Sequence, residues 1–178
     1  MANSYDQEQR RLSQESLQIA LFSLMKVQPF ASITVSELCK KAGISRMAFY
    51  RNYNSKEEVI VDYFKNYVQP FYQYLSDQPQ KDPVVITRAF FEYVDQHTEL
   101  FEILIKSGAE NLLAREFTQF VSQFYLDNVR SIPFEGDYAY YWNSFISAGL
   151  YNMTIEWIKN DKKTSIDLLT EIAVKIGG

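Results

Sequence analysis

Basic side chains are concentrated in one short part of the sequence. Between residues 26 and 56 the only carboxylate is Glu37, whereas the cations are Lys26, Lys40, Lys41, Arg46, Arg51 and Lys56. Hydroxyl and amide groups lie between them, among them Thr34, Ser45, Tyr50 and Asn52. Cations, hydroxyls and amides are the groups with which proteins contact phosphates and base edges. This segment could therefore bind a polyanion such as duplex DNA.

The net charge of the whole chain, −4, conceals this cluster. Residues 1–70 hold nine Lys/Arg and seven Asp/Glu, a net of +2, whereas residues 71–178 hold nine and fifteen, a net of −6. Such asymmetry indicates that one part of the chain meets a polyanion and the other does not. A small excess over so short a segment also arises by chance, so charge is only supporting evidence.

The residue counts argue against an enzyme. The chain has one histidine, His97, and one cysteine, Cys39, too few for most metal sites and Cys/His pairs. No Gly-rich phosphate loop is present, and the carboxylates of the C-terminal part have the spacing of helix surfaces. We predict no catalytic residue, no metal and no cofactor. A paired, buried set of carboxylates in a cleft would reopen that question.

Capping signals around Gly43 predict two short helices. Thr34 with Glu37 fits a capping box, in which the Thr hydroxyl bonds the N3 amide and the Glu reaches back. Gly43 supplies the left-handed residue that ends the first helix, and Ser45 caps the second. Two short helices joined by a Gly turn match a helix-turn-helix that ends near Tyr53. Any helical hairpin with a Gly turn would look similar. The spacing alone therefore does not distinguish a DNA-binding helix-turn-helix from an ordinary helical hairpin.

The two faces of these helices differ in character. The apolar face consists of Val35, Leu38, Cys39 and Ala42 in the first helix, closed by Ile44, Phe49 and Tyr53. That packing leaves Arg46, Met47, Tyr50 and Arg51 on the outer side, with Ser45 at the N-terminus. A helix placed in this way can enter the major groove N-terminus first.

Helical periodicity continues through the rest of the chain, and no stretch alternates as a strand would. A first helix is predicted over residues 7–27, with Leu12, Ile19, Phe22 and either Leu24 or Met25 on its buried face. Ser55 with Glu58 forms another capping box at the start of a long helix, which Pro70 should kink or interrupt. Further helices are predicted over residues 83–96, 98–106, 110–130, 137–159 and 164–176. We place the domain boundary in the long helix, giving domains 1–70 and 71–178.

The string AGISRMAFYRNYNSKEEV closely resembles the signature of the TetR/AcrR family of transcriptional regulators. The upstream ITVSELCKKAG is similar to the family's preceding helix, and the whole similarity covers about residues 9–65. The resemblance implies an all-α protein. It would have a three-helix helix-turn-helix DNA-binding domain followed by a helical ligand-binding and dimerisation bundle.

The resemblance also implies roles at matching positions. Thr34 and Tyr50 would contact phosphates, Ser45, Arg46 and Met47 would meet bases or nearby backbone, and Lys56 would lie near the phosphates. The predicted DNA-binding set is Thr34, Ser45, Arg46, Met47, Tyr50, Arg51, Asn52 and Lys56. Met47 departs from the small residue usual there and Asn52 from an aromatic or His, which puts base preference in doubt. Cys39 stands where the family usually has Ala and is interpreted as a small buried residue.

The segment SFISAGLYNMTIEWIKNDKKTS resembles the end of a C-terminal domain found in many such regulators from Gram-positive bacteria. Apolar residues recur along one side of the two last predicted helices. As a dimer interface we predict Trp142, Phe145, Gly149, Met153, Trp157, Leu169 and Ala173. The same stripe could instead cover the domain's own core.

Aromatic residues make up 16% of the chain. Most such residues are core, but some could line a pocket for a small apolar or aromatic effector. The candidates are Phe101, Phe120, Phe124 and Tyr141. His97 is predicted to be a surface or capping residue.

The leading hypothesis is a dimeric repressor that binds double-stranded operator DNA and is released by a small-molecule ligand. The alternative is a co-regulator or activator whose C-terminal domain binds a partner protein. No apolar run approaches the roughly 18 residues of a membrane span. With no signal peptide and a single cysteine, the expected location is the cytoplasm.

Overall fold

A computed structural model describes residues 2–77, 82–128 and 135–177 of the chain. The helices are α1 (Ala2–Met25), α2 (Val35–Ala42), α3 (Arg46–Asn52), α4 (Lys56–Ser76), α5 (Pro83–Gln96), α6 (Glu99–Ser107), α7 (Ala114–Asn128), α8 (Gly136–Lys159) and α9 (Ile166–Gly177). Short 3-10 helices cover Phe30–Ser32 and Glu110–Leu113. No strand occurs in these three ranges, so the all-α prediction is confirmed. The predicted end of the helix over residues 110–130 and the gap before the helix over residues 137–159 fall on residues 129–134, which lie outside the described residues.

The chain divides into two compact units. The first unit combines Met1–Asn66 with Ile103–Leu112, and the second combines Tyr67–Glu102 with Leu113–Gly178. The division falls within α4 and again within α6. The sequence prediction of two consecutive domains did not include the return of residues 103–112 to the first unit.

The core of the first unit is built on one stripe of α1. Leu17, Leu21 and Met25 are almost completely buried, and they recur at the i, i+4 spacing of one helix face. Leu24 and Met25 are buried as predicted, whereas Ile19 is 72% exposed and Leu12 is also exposed, so the predicted buried face was wrong at these two positions. Ile19 lies two residues from Leu17, which turns it about 200° away around the helix axis.

The second unit is held together by aromatic packing and by helix pairs. Helix α5 packs along α9, and α7 packs along α8. Phe91 packs edge-on against Trp157 with ring centroids 6.0 Å apart, and the Trp157 indole N–H donates to the Thr164 carbonyl at 2.8 Å. Two ion pairs, Arg88–Asp167 at 2.5 Å and Lys162–Asp95 at 2.8 Å, flank this packing.

Pro70 lies inside α4, which continues to Ser76 rather than ending there. Proline lacks the N–H that would bond the carbonyl of the residue four positions earlier. Packing within the second unit supports this part of the helix. The Tyr93 hydroxyl donates to the Tyr67 carbonyl at 2.6 Å, and Phe71 stacks on Tyr93 with ring centroids 4.7 Å apart. No helix in the described part of the chain is both long and apolar enough to cross a membrane.

Candidate nucleic-acid interface

Helix α2 is capped at both ends as the sequence predicts, with one difference. Thr34 Oγ1 accepts the Glu37 amide at 3.1 Å, and Gly43 ends the helix in the left-handed conformation with φ of 68°. The Glu37 carboxylate does not close the capping box. It accepts instead from Gln28 Nε2 at 2.8 Å, because a side chain before the helix offers it an amide.

Helix α3 presents a polar outer face. Ser45 Oγ accepts the Ala48 amide at 3.1 Å and so caps the helix. Phe49 is fully buried, whereas Met47 is 66% and Tyr50 51% exposed. Arg46 and Arg51 are exposed as well. The structure therefore brings four of the predicted DNA-binding side chains, at positions 46, 47, 50 and 51, to the solvent side of one helix.

The C-terminal end of α3 is held by a buried tyrosine. The Tyr53 hydroxyl donates to Asp62 Oδ2 at 2.7 Å, and Gln18 Nε2 donates to the same oxygen at 3.0 Å. Burial, and secondarily the hydrogen bond to Asp62, raises the pKa of Tyr53 well above its ordinary value. The three side chains tie the end of α3 to α1 and α4. Sequence reasoning missed this network, because nothing in the spacing pairs residue 53 with residue 62.

Asn52 is used within its own helix. Its Nδ2 donates to the Ala48 carbonyl at 2.8 Å, and its Oδ1 is buried without a hydrogen-bond partner. The predicted DNA contact at this position would require the side chain to leave that bond. We do not include Asn52 in the interface proposed below.

The start of α4 is capped by a variation on the predicted box. The Glu58 amide donates to Ser55 Oγ at 3.4 Å. The Glu58 carboxylate reaches back to Asn54 rather than to Ser55, accepting its backbone N–H at 2.8 Å. That backbone hydrogen bond, with a second from the Asn54 side chain, lowers the pKa of Glu58. This cap orders the chain between α3 and α4.

Lys56 lies at the same helix start but points inward. Its Nζ donates to the carbonyls of Phe30 and Ile33, each at 2.6 Å, and lies 3.4 Å from the Ala31 carbonyl. The predicted phosphate contact would require the ammonium to leave these oxygens. Cys39 is buried, as predicted, and burial raises the pKa of its thiol.

A small cavity lies in the second unit. Its volume is about 40 Å³, and its lining is apolar apart from Thr87. The lining residues are Phe71, Leu75, Ile86, Thr87, Phe90, Phe117, Phe120, Val121, Phe124 and Leu150. Of the predicted pocket residues, Phe120 and Phe124 line it. Phe101 is instead a buried core residue that packs edge-on against Tyr67, and Tyr141 is 68% exposed.

The predicted interface residues of α8 and α9 divide into two groups. Trp157 and Leu169 are buried within the second unit, so they serve its own core. Phe145 is 62% exposed, and the remaining four are half-buried: Trp142, Gly149, Met153 and Ala173. The Trp142 indole N–H donates to the Gly177 carbonyl at 2.9 Å, which ties α8 to the end of α9. Helix α9 also exposes the apolar side chains of Leu168, Ile172 and Ile176.

The paired short helices with an exposed α3 define a helix-turn-helix protein. A family model for bacterial regulatory proteins of the tetR family matches residues 20–63. A model for a transcriptional regulator C-terminal region, of the same family, matches residues 81–176. The chain therefore belongs to the TetR family of transcriptional regulators, as the sequence predicts.

Solved structures share this fold at low sequence identity. Lin0861 from Listeria innocua is 20% identical with a TM-score of 0.73, covering 93% of this chain and 89% of that one. FadR from Bacillus subtilis, solved with stearoyl-CoA, is 12% identical with a TM-score of 0.54 and coverages of 92% and 96%. The dihydroxyacetone kinase operon activator DhaS is 17% identical with a TM-score of 0.53 and coverages of 93% and 93%. A search of curated proteins found no match.

Proposed function

We propose that this regulator is a dimeric repressor that reads operator DNA with α3 and leaves it when a small apolar molecule binds the second unit. The observation that carries the proposal is the sidedness of α3. Phe49 and Tyr53 are buried on one side of α3. The side chains of Met47, Tyr50, Arg46 and Arg51 are exposed on the other side. A protein acting on an operator works in the cytoplasm, where the bacterial chromosome lies.

The side chains of this face suit different parts of the duplex. The oxygens of Thr34 and Ser45 accept helix amides, but each hydroxyl hydrogen remains able to donate to a phosphate. The Tyr50 hydroxyl is a further phosphate donor. Arg46 and Met47, in the first turn of α3, are the candidates for base contacts, with the Met47 side chain suited to a thymine methyl.

Dimerisation is supported by apolar residues that α8 and α9 leave exposed. Tyr141 and Phe145 lie one turn apart on α8, and Leu168, Ile172 and Ile176 follow one another at i, i+4 spacing on α9. A two-fold dimer buries the same patch of both subunits. It would also place the two α3 helices about 34–36 Å apart, which predicts a pseudo-palindromic operator.

Effector control is supported by the cavity of the second unit. A single buried water molecule needs a cavity volume of about 10–15 Å³. The cavity of about 40 Å³ must therefore widen to admit an organic ligand. Helix α4 contributes Phe71 and Leu75 to the lining, and the same helix begins at Lys56 beside the DNA-reading helices. Widening the cavity would therefore shift α4, the helix that follows α3 in the chain. The phenyl-rich lining favours an uncharged apolar or aromatic effector.

A second candidate is an activator or co-regulator that binds a partner protein. Two observations favour it. One similar structure is described as an operon activator, and the cavity is small. In this case the exposed aromatic residues of α8, which include Tyr138 and Tyr140, would contact the partner.

The test is to map the genomic fragments that the purified protein binds and to measure its affinity for the strongest one. The repressor proposal expects a pseudo-palindrome overlapping a promoter, and transcription from it in vitro should fall when protein is added. Increased transcription supports the activator candidate. The absence of any enriched sequence contradicts operator binding.

A further inference from the structure

The ammonium of Lys56 is surrounded by main-chain carbonyls of a single turn. Its Nζ lies 2.6 Å from the Phe30 carbonyl oxygen, 2.6 Å from that of Ile33 and 3.4 Å from that of Ala31. A lysine ammonium has three N–H donors, and three acceptors are in place for them. The contacts to Phe30 and Ile33 are short and partly buried, whereas the contact to Ala31 is longer and lies at the exposed side of the site.

An aromatic ring completes the site. The Nζ lies 4.2 Å from the centroid of the Phe30 ring, and Phe30 itself is buried. A cation over a ring face is attracted by the ring's electron density, most strongly where water is excluded. The carbonyl end of the 3-10 helix Phe30–Ser32 carries partial negative charge, which also favours a cation.

The Ile33 carbonyl connects the Lys56 site to the start of α2. The Ile33 carbonyl belongs to the peptide that leads directly into Thr34, and Ile33 is itself buried. Thr34 then caps α2 through the Glu37 amide. Lys56 is the first residue of α4, so its side chain joins the start of α4 to the start of α2. All of these residues belong to the first unit.

We propose that Lys56 is a positioning residue that fixes the Ile33–Thr34 peptide, and through it the DNA-facing end of α2, rather than a phosphate contact. Of the two tests of this inference, the first rests on the proposed function, because it requires DNA binding by the proposed interface. The second does not. A phosphate contact and a positioning contact both lower affinity when removed. They differ in how they change the salt dependence of binding.

The DNA test uses a duplex enriched by the wild-type protein from a randomised pool, with affinities measured between about 50 and about 200 mM KCl. Lys56→Met should weaken binding about five- to tenfold, the size of a lost helix cap, and leave the slope of log K against log [salt] unchanged. The matched control is Arg51→Met on the exposed face of α3. If Arg51 contacts a phosphate, the slope of log K against log [salt] for Arg51→Met should be shallower than that of the wild type by about 0.9.

Lys56→Arg separates the two roles at constant charge. A planar guanidinium can replace an ammonium at a phosphate, but it does not fit a compact set of three carbonyls beneath a ring. We expect Lys56→Arg to weaken binding as Lys56→Met does. A slope shallower by about 0.9 in Lys56→Met, restored by Lys56→Arg, would overturn the proposal.

The second test needs no DNA. Hydrogen exchange of the Glu37 amide, which donates to Thr34 Oγ1, should become about five- to tenfold faster in Lys56→Met. Amides of α1 near Leu21 serve as the internal control for intact folding. Unchanged exchange at Glu37 overturns the proposal whatever the DNA result. If the wild-type protein binds no duplex, operator binding fails while this measurement still decides the role of Lys56.

Discussion

The Tyr53 hydroxyl donates a 2.7 Å hydrogen bond to Asp62 Oδ2, and this pair joins the end of α3 to α4. Tyr53 is buried, and a second donor from Gln18 meets the same carboxylate oxygen. The bond makes the orientation of α3 depend on a polar contact as well as on apolar packing.

Removing this hydroxyl should destabilise the protein. Tyr53→Phe keeps the ring and loses a hydrogen bond to a charged group, which is worth about 1.5–3 kcal/mol. We expect a loss of that size in the free energy of unfolding, measured by urea denaturation. Tyr50→Phe is the matched control, because Tyr50 lies on the exposed face of the same helix. Equal stability of both variants would show that the Tyr53–Asp62 bond contributes nothing.

The same pair predicts a pH dependence of stability. Burial and Asp62 raise the pKa of Tyr53 in the folded protein above the unfolded value of about 10. A raised folded pKa means that the contribution is complete below about pH 10 and is lost as the pH rises above it. The stability difference between wild type and Tyr53→Phe should therefore shrink between about pH 9 and about pH 11. A difference that stays constant across this range contradicts the assignment.

The cavity of the second unit should bind an uncharged apolar probe. We expect N-phenyl-1-naphthylamine to gain fluorescence with the wild-type protein. Val121→Phe, which adds a ring to the lining, should abolish this gain at a cost of about 1–3 kcal/mol in stability. Phe145→Ala, a change on the exposed face of α8, is the control and should leave the probe signal intact. Probe binding that survives Val121→Phe and is lost in Phe145→Ala would place the apolar site on the surface of α8.

The exposed stripe of α8 and α9 should carry the dimer. Phe145→Glu and Ile172→Glu place a charge at an apolar surface, which should shift sedimentation from dimer to monomer without unfolding the protein. Ile19→Glu is the control, since Ile19 is equally apolar and 72% exposed on α1. A dimer that persists in both α8 and α9 variants contradicts this interface.

How far the sequence predicts the structure depends on how many residues separate the two interacting partners along the chain. Gly43, Thr34 and Ser45 act within four residues of their partners, and local spacing predicts them correctly. The Tyr53–Asp62 bond and the Lys56–Ile33 contact join separate helices, so they depend on packing that no local pattern specifies.

The apolar residues show the same limit. Periodicity predicts that α1 has a buried face but does not identify it, because Ile19 and Leu17 are both apolar and face different sides. Aromatic residues likewise suit a core, a cavity lining or a surface. Composition alone does not separate Phe101, Phe124 and Tyr141, which the structure places in the core, in the cavity lining and on the surface, respectively.

DNA binding by the outer face of α3 can be tested by measuring the affinity of Arg51→Ala and Tyr50→Ala for the selected duplex as a function of salt. If the outer face of α3 contacts the duplex, each variant should lose about 1–3 kcal/mol of binding free energy. The slope of log K against log [salt] should also become shallower by about 0.9 for Arg51→Ala if it contacts a phosphate. Unchanged affinity and unchanged salt dependence in both variants would contradict DNA binding by this face.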